Sequence, residues 1–133
     1  MSKANATEVD LLAYIFKGTA IPWAAATELD IHLHTADPGE GGTSLTSEAT
    51  YTGYAAVTVN RDGTAWTGTN PVSNAALIQF PQCSDGSNTL THVSITAEGA
   101  TQILYSGALS ASLAVSTGIQ PQFAIGALTI AED

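Results

Sequence analysis

Apolar and polar positions follow two different periods along this chain, and the change falls near residue 20. The first stretch has the spacing of a helix. Thr7 reads as an N-cap, Glu8 and Asp10 place acids in the first turn, and Val9, Leu12, Ala13 and Phe16 recur on one side. Lys17 followed by Gly18 is a good stop, a cation in the last turn and then a residue free to take positive φ. A helix of about three turns is marginal alone. Its apolar stripe therefore predicts docking, on its own sheet or on a neighbouring subunit.

From Leu29 onward the period is two. Leu29, Ile31 and Leu33 alternate with Asp30, His32 and His34, predicting a half-buried strand to Thr35 that Asp37-Pro38-Gly39 ends as a turn. A glycine-rich loop runs on to Ser47. Further strands are predicted at Tyr54–Asn60, at Thr64–Thr67 as its hairpin partner across Arg61-Asp62-Gly63, and at Asn74–Phe80. Thr91–Thr96 should turn Val93 and Ile95 inward and Ser94 outward, and Gln102–Leu109, Leu113–Ser116, Gln122–Ile125 and Ala127–Ile130 complete the set. Strands this short, punctuated by Gly, Asn and Pro with no helices between them, predict an all-β fold. The expectation is a single β-sandwich or jelly-roll-like domain over 1–133, with about eight antiparallel strands and a short N-terminal α-helix. The arm and helix occupy 1–20 and the β core 28–131.

Composition narrows the partners. Of 133 residues only 11% are charged and the net charge is −9, with Lys3, Lys17 and Arg61 the only Lys or Arg cations. A nucleic-acid binder needs a basic stripe to displace counterions, and an anionic membrane needs the same, so neither is an expected partner. A surface of Thr, Ser, Asn and Gly with few charges suits a protein covered by neighbours, and a homo-oligomer is expected. Cys83 is alone, which rules out an internal disulfide, and it reads as a small buried apolar side chain. No apolar run is long enough to span a bilayer, and Glu8 and Asp10 interrupt what a secretory signal would need.

Candidate chemistry is thin. Asp30, His32 and His34 share one strand face, with His92 available from another strand, and imidazole with carboxylate suits zinc or non-haem iron. Same-face neighbours lie roughly 7 Å apart, an awkward span for one ion, and a polar strand face explains them as well. The expectation is therefore no metal, no cofactor and no catalytic residue. The serines lie outside any G-x-S-x-G context, and Gly39-Glu40-Gly41-Gly42 has neither the G-K-[ST] nor the following helix of a phosphate loop. His34, Asp37, Pro38 and Gly39 read as a structural corner, the imidazole and Asp37 bonding the turn backbone. Phe80, Tyr105 and Phe123 fit core faces. Tyr51 and Trp66 sit in turn-rich segments and are expected at the surface, as a carbohydrate platform or a subunit interface. With Leu12, Phe16 and Trp23 they make the interface candidates.

Leu33-His34-Thr35-Ala36-Asp37-Pro38-Gly39, following a helix that ends Lys17-Gly18-Thr19-Ala20, resembles a family of small tailed-bacteriophage virion proteins described as tail-fibre-like or head-decoration proteins. Gly53-Tyr54-Ala55 and Ile103-Leu104-Tyr105-Ser106-Gly107-Ala108-Leu109 add to the likeness, which covers most of the chain. Ala56 departs from it, since the family usually places an Arg or other polar residue there. The resemblance implies a non-enzymatic β-sandwich assembled into virions in the host bacterial cytoplasm. Its implied partners are copies of itself and the major capsid protein or tail proteins. Its first implication is a capsid decoration or cement protein. The alternative is a tail or tail-fibre component in host attachment, with glycan binding; a small metal-dependent enzyme using Asp30, His32 and His34 is the distant third.

Overall fold

The longest alternating segments build the centre of the molecule. The computed structural model describes residues 1–133. In chain order the elements are β1 (Ser2–Lys3), α1 (Asn5–Lys17), β2 (Glu28–His34), β3 (Val57–Asn60), β4 (Trp66–Gly68), β5 (Val72–Asn74), β6 (Ile78–Gln79), β7 (Asn88–Ala97), β8 (Ile103–Val115), β9 (Gln122–Phe123) and β10 (Thr129–Ile130). A five-stranded sheet runs β1-β8-β7-β2-β3; a three-stranded sheet, β10-β5-β4, and a two-stranded one, β6-β9, are separate from it. Every pairing is antiparallel, and the fold is all-β and sandwich-like.

The core forms on one face of the large sheet. Directly opposed residues in antiparallel strands share a face, and β2 sets Ile31 opposite Ile95 and Leu33 opposite Val93. These four pack with Ile78, Phe80, Leu90, Val115 and Leu128 from the rest of the chain. Cys83 is buried there too, its Sγ 3.3 Å from the carbonyl of Asp85.

Several local expectations change because a distant partner outcompetes the local pattern. The segment at Trp66 pairs with β5 and not with β3. The Asp62 carboxylate gathers the amides of Thr64 and Ala65 and the Thr64 hydroxyl, which redirects the chain after β3. The Asn74–Phe80 segment is broken because buried Asn74 turns its amide to the carbonyls of Ala76 and Ala124 and accepts from the amide of Leu128. The two segments predicted at 102–109 and 113–116 are one strand, β8. Ser94, expected to face outward, is completely buried, and Tyr51, expected at the surface, is 3% exposed. Tyr51 belongs to the core cluster, its hydroxyl donating to the carbonyl of Pro81 at 2.7 Å and its ring edge-on to Tyr54.

Candidate functional site

Alternation puts Asp30, His32 and His34 on one face of β2, as expected, but that face is covered. Ile31, His32, Leu33 and His34 are all buried, so β2 is enclosed on both sides. The loop that returns from the Asp37 turn lies over the polar side. Ser47 sits in the left-handed region at φ 54, and its carbonyl takes the amide of Thr35 at 2.8 Å. Its neighbours Thr46 and Glu48 supply the groups that meet the imidazoles.

His34 Nδ1 donates to the carbonyl of Thr46 at 2.9 Å, so Nε2 is the acceptor, 2.7 Å from Ser94 Oγ. Burial lowers the pKa of His34, and the bond to Thr46 only partly opposes it. His32 Nδ1 lies 2.7 Å from Glu48 Oε1, and its Nε2 lies 3.2 Å from Thr96 Oγ1. The same carboxylate oxygen accepts from Tyr54 at 3.0 Å, and the Tyr54 hydroxyl accepts the amide of Leu33 at 3.0 Å. Burial, with the Glu48 carboxylate adding to it, raises the Tyr54 pKa well above its ordinary value. The network is therefore closed, and no buried side-chain nitrogen or oxygen lacks a partner.

Closure decides what this chemistry can do. A metal ligand must offer a free lone pair, and all four ring nitrogens of His32 and His34 are engaged by protein groups. Asp30 is likewise engaged, by the Thr58 hydroxyl at 2.7 Å and the amide of Gly99 at 2.9 Å. His92 pairs with His34 across the strands but turns Nδ1 to Thr91 Oγ1 at 2.8 Å. Ser94 and His34 have the hydrogen bond of a nucleophile and its base, yet both are fully buried, so no substrate carbonyl reaches Ser94 Oγ. The arrangement joins the loop to the sheet.

The corner holds by a different contact from the one expected of its histidine. Asp37 Oδ1 accepts the amide of Gly39 at 2.8 Å, and Gly39 takes φ 73. His34 bonds the far end of the loop, not the turn. A Cβ at Gly42 would stand 2.0 Å from the carbonyl of Pro38, so the loop needs glycine there. Asp37→Ala removes one exposed hydrogen bond and is expected to cost about 1 kcal/mol in urea unfolding; an unchanged midpoint would show that the turn holds without it.

The interface candidates on α1 sit on an inverted helix. The N-cap is Ala4 and the helix starts at Asn5, three residues before the expected start, because Thr7 is used elsewhere. Its hydroxyl donates to the carbonyl of Ile103 at 2.8 Å. Asp10 Oδ2 accepts from Gln102 at 2.8 Å and from the indole of Trp23 at 3.2 Å. Polar side chains thus tie α1 to its own sheet. The apolar ones face water, with Val9 65%, Leu12 57%, Ile15 64% and Phe16 78% exposed. Gly18 closes the helix at φ 65, as its position predicts.

Trp23 and Trp66 are half-buried. The Arg61 guanidinium stands 5.7 Å over the Trp23 ring, and Trp66 Nε1 donates to the carbonyl of Asn60 at 3.0 Å. Trp66 lines a cleft of about 550 Å³ with Leu29, Val72, Ile95, Tyr105 and Ile130. At its rim the Asn70 side chain donates to the carbonyl of Glu132 and accepts its amide, and the Tyr105 hydroxyl bonds the Glu132 carboxylate. A sugar needs convergent unpaired polar groups, and these are already engaged by one another.

Sequence reasoning missed Val9 and Ile15 as exposed residues and Glu48 and Tyr54 as members of the network. Positions 9, 12, 13 and 16 were readable as a stripe; that Val9, Leu12 and Phe16 face away from the sheet, with Ile15 beside them, was not. Residues 2–131 match the family model described as podophage GP4 fiber I protein gp80. No curated protein matches the chain.

Proposed function

Because the chain belongs to the podophage GP4 fiber I protein gp80 family, and is thereby a phage virion structural protein, we propose that it is a non-enzymatic tail-fibre component, held to a neighbouring virion protein through α1. The observation that carries this reading is the outward stripe of Val9, Leu12, Ile15 and Phe16. A short helix normally turns its apolar side to its own core. This one anchors itself with Thr7 and Asp10, leaving contiguous apolar surface of the kind that marks interaction sites.

A fibre family supports the tail position over the capsid decoration role that the sequence resemblance placed first. The closed histidine network and the mutually satisfied cleft rim favour a structural role over metal-dependent catalysis or glycan capture. Immunogold labelling of intact particles tests the placement: label confined to the tail is expected, and label spread over the head shell would return the protein to a decoration role.

A further inference from the structure

We propose that two copies of this chain join edge to edge through β8, antiparallel about a twofold axis at Ala111, so that the large sheet continues from one copy into the next.

The edge is open. β1 covers β8 at Tyr105 and Ser106, Met1 lies against Gly107, and nothing pairs with that side of the strand from Ala108 to Val115. On the inner side, Leu90 of β7 pairs with Leu113 and His92 with Ala108. Thr91 alone therefore stands opposite Leu109, Ser110, Ala111 and Ser112, and β8 bulges there. Ala108, Ser110, Ala111, Ser112, Leu113 and Ala114 are exposed. The opposite edge of the sheet, β3, is only 4 residues long. Exposed edges are normally blunted by charge, proline, shortness or a bulge, because unpaired amides and carbonyls recruit other chains. This one is long and carries neither charge nor proline, and the bulge opposite Thr91 is its one guard.

Charge makes a second copy the fitting occupant. The chain carries −9 overall, yet from Gly99 to Ala131 there is no charged side chain. Two acidic copies can meet along β8 without setting like charges against each other.

The sequence supplies the register. Ala108-Leu109-Ser110-Ala111-Ser112-Leu113-Ala114 reads the same in both directions. Antiparallel pairing centred on Ala111 sets Leu109 against Leu113, Ser110 against Ser112, and Ala108 against Ala114. Every pair is then like with like: apolar against apolar, hydroxyl against hydroxyl. Opposed side chains are the unit of sheet stabilisation, and a twofold contact must be self-complementary. A different protein added at this edge would have no need of that symmetry. The proposal goes beyond the fibre reading and does not depend on α1.

Cysteine cross-linking tests the register on the full chain. With Ala111→Cys, mild oxidation is expected to give a covalent dimer, because the two cysteines face each other. Leu109→Cys and Leu113→Cys should each form no covalent dimer alone and cross-link when mixed. Ala111→Lys sets two cations face to face and is expected to weaken the dimer at least roughly tenfold in sedimentation velocity, while its far-ultraviolet circular dichroism stays that of the parent. A parent chain that sediments as a monomer at all concentrations would overturn the proposal, as would Ala111→Cys cross-linking no better than Leu109→Cys alone.

Discussion

Replacing Leu12 and Phe16 together by Asp is expected to abolish incorporation of the protein into particles while leaving the isolated chain folded. Both side chains are exposed, Leu12 by 57% and Phe16 by 78%, and neither belongs to the core cluster. Substitutions at such positions usually change stability by less than about 0.5 kcal/mol. The α1 anchors, Thr7 to Ile103 and Asp10 to Gln102 and Trp23, are untouched. In a docked state the loss is large. Burying a Leu and a Phe contributes roughly 3–6 kcal/mol together, and two carboxylates in their place must also be desolvated. Binding should fall by at least about a hundredfold. Quantitative blotting of purified particles against the parent phage measures this, with unfolding of the isolated variant as the control. Normal copy number in variant particles would refute anchoring through α1.

His34→Ala is expected to cost about 3 kcal/mol or more in stability, the largest folding effect among the polar residues of the network. The truncation strips a partner from the Thr46 carbonyl and from the buried Ser94 hydroxyl and leaves a cavity under the loop. The same histidine makes the parent acid-sensitive. Burial holds its folded pKa below the ordinary value of 6.5. The unfolded chain therefore takes up a proton first as pH falls. The sign follows from linkage: stability is fully present above 6.5 and is lost as pH drops from there through the lower folded pKa. In the protonated state Nε2 also carries a proton, so Ser94 can no longer donate to it. Asp62 and Glu132 are carboxylates whose pKa values are lowered, by hydrogen bonds from Thr64 and from Lys3 respectively, so their contributions are lost only at more acid pH. Urea unfolding between neutral pH and the top of the carboxylate range should show a slope that is smaller in His34→Ala. A parent chain with flat stability across that window would show that His34 is not held neutral.

The two predictions draw on residues that were legible to different degrees. His32 and His34 were visible as one strand face, since period two is a local property of the chain. Their partners were not. Glu48 and Thr46 lie across a loop, and Ser94 and Thr96 come from β7, so nothing near His34 in sequence names them. The helix shows the same division. Its end at Gly18 was readable because a C-terminal glycine acts on the residues beside it. Its start was misplaced because Thr7 bonds a strand almost a hundred residues away in place of capping its own first turn. Tyr51 failed for a related reason: turn-rich surroundings suggest exposure, but the carbonyl of Pro81 and the edge of Tyr54 enclose it.

The amino-acid sequence by itself determined the all-β class, the corner at Asp37 to Gly39, the helix and its stop, the charge-free run from Gly99 to Ala131, and the symmetric order of residues 108–114. Each depends on spacing, on backbone preference or on charge count, and those act over a few residues or simply add along the chain. The tertiary structure alone decided which side of α1 meets water, that β2 is buried on both faces, that Trp66 joins β5, and that β8 beyond Gly107 is left without an outer neighbour. Those outcomes depend on which distant group satisfies a given hydrogen bond or covers a given face. Periodicity shows which residues share a side, and only the packed fold supplies what lies against it.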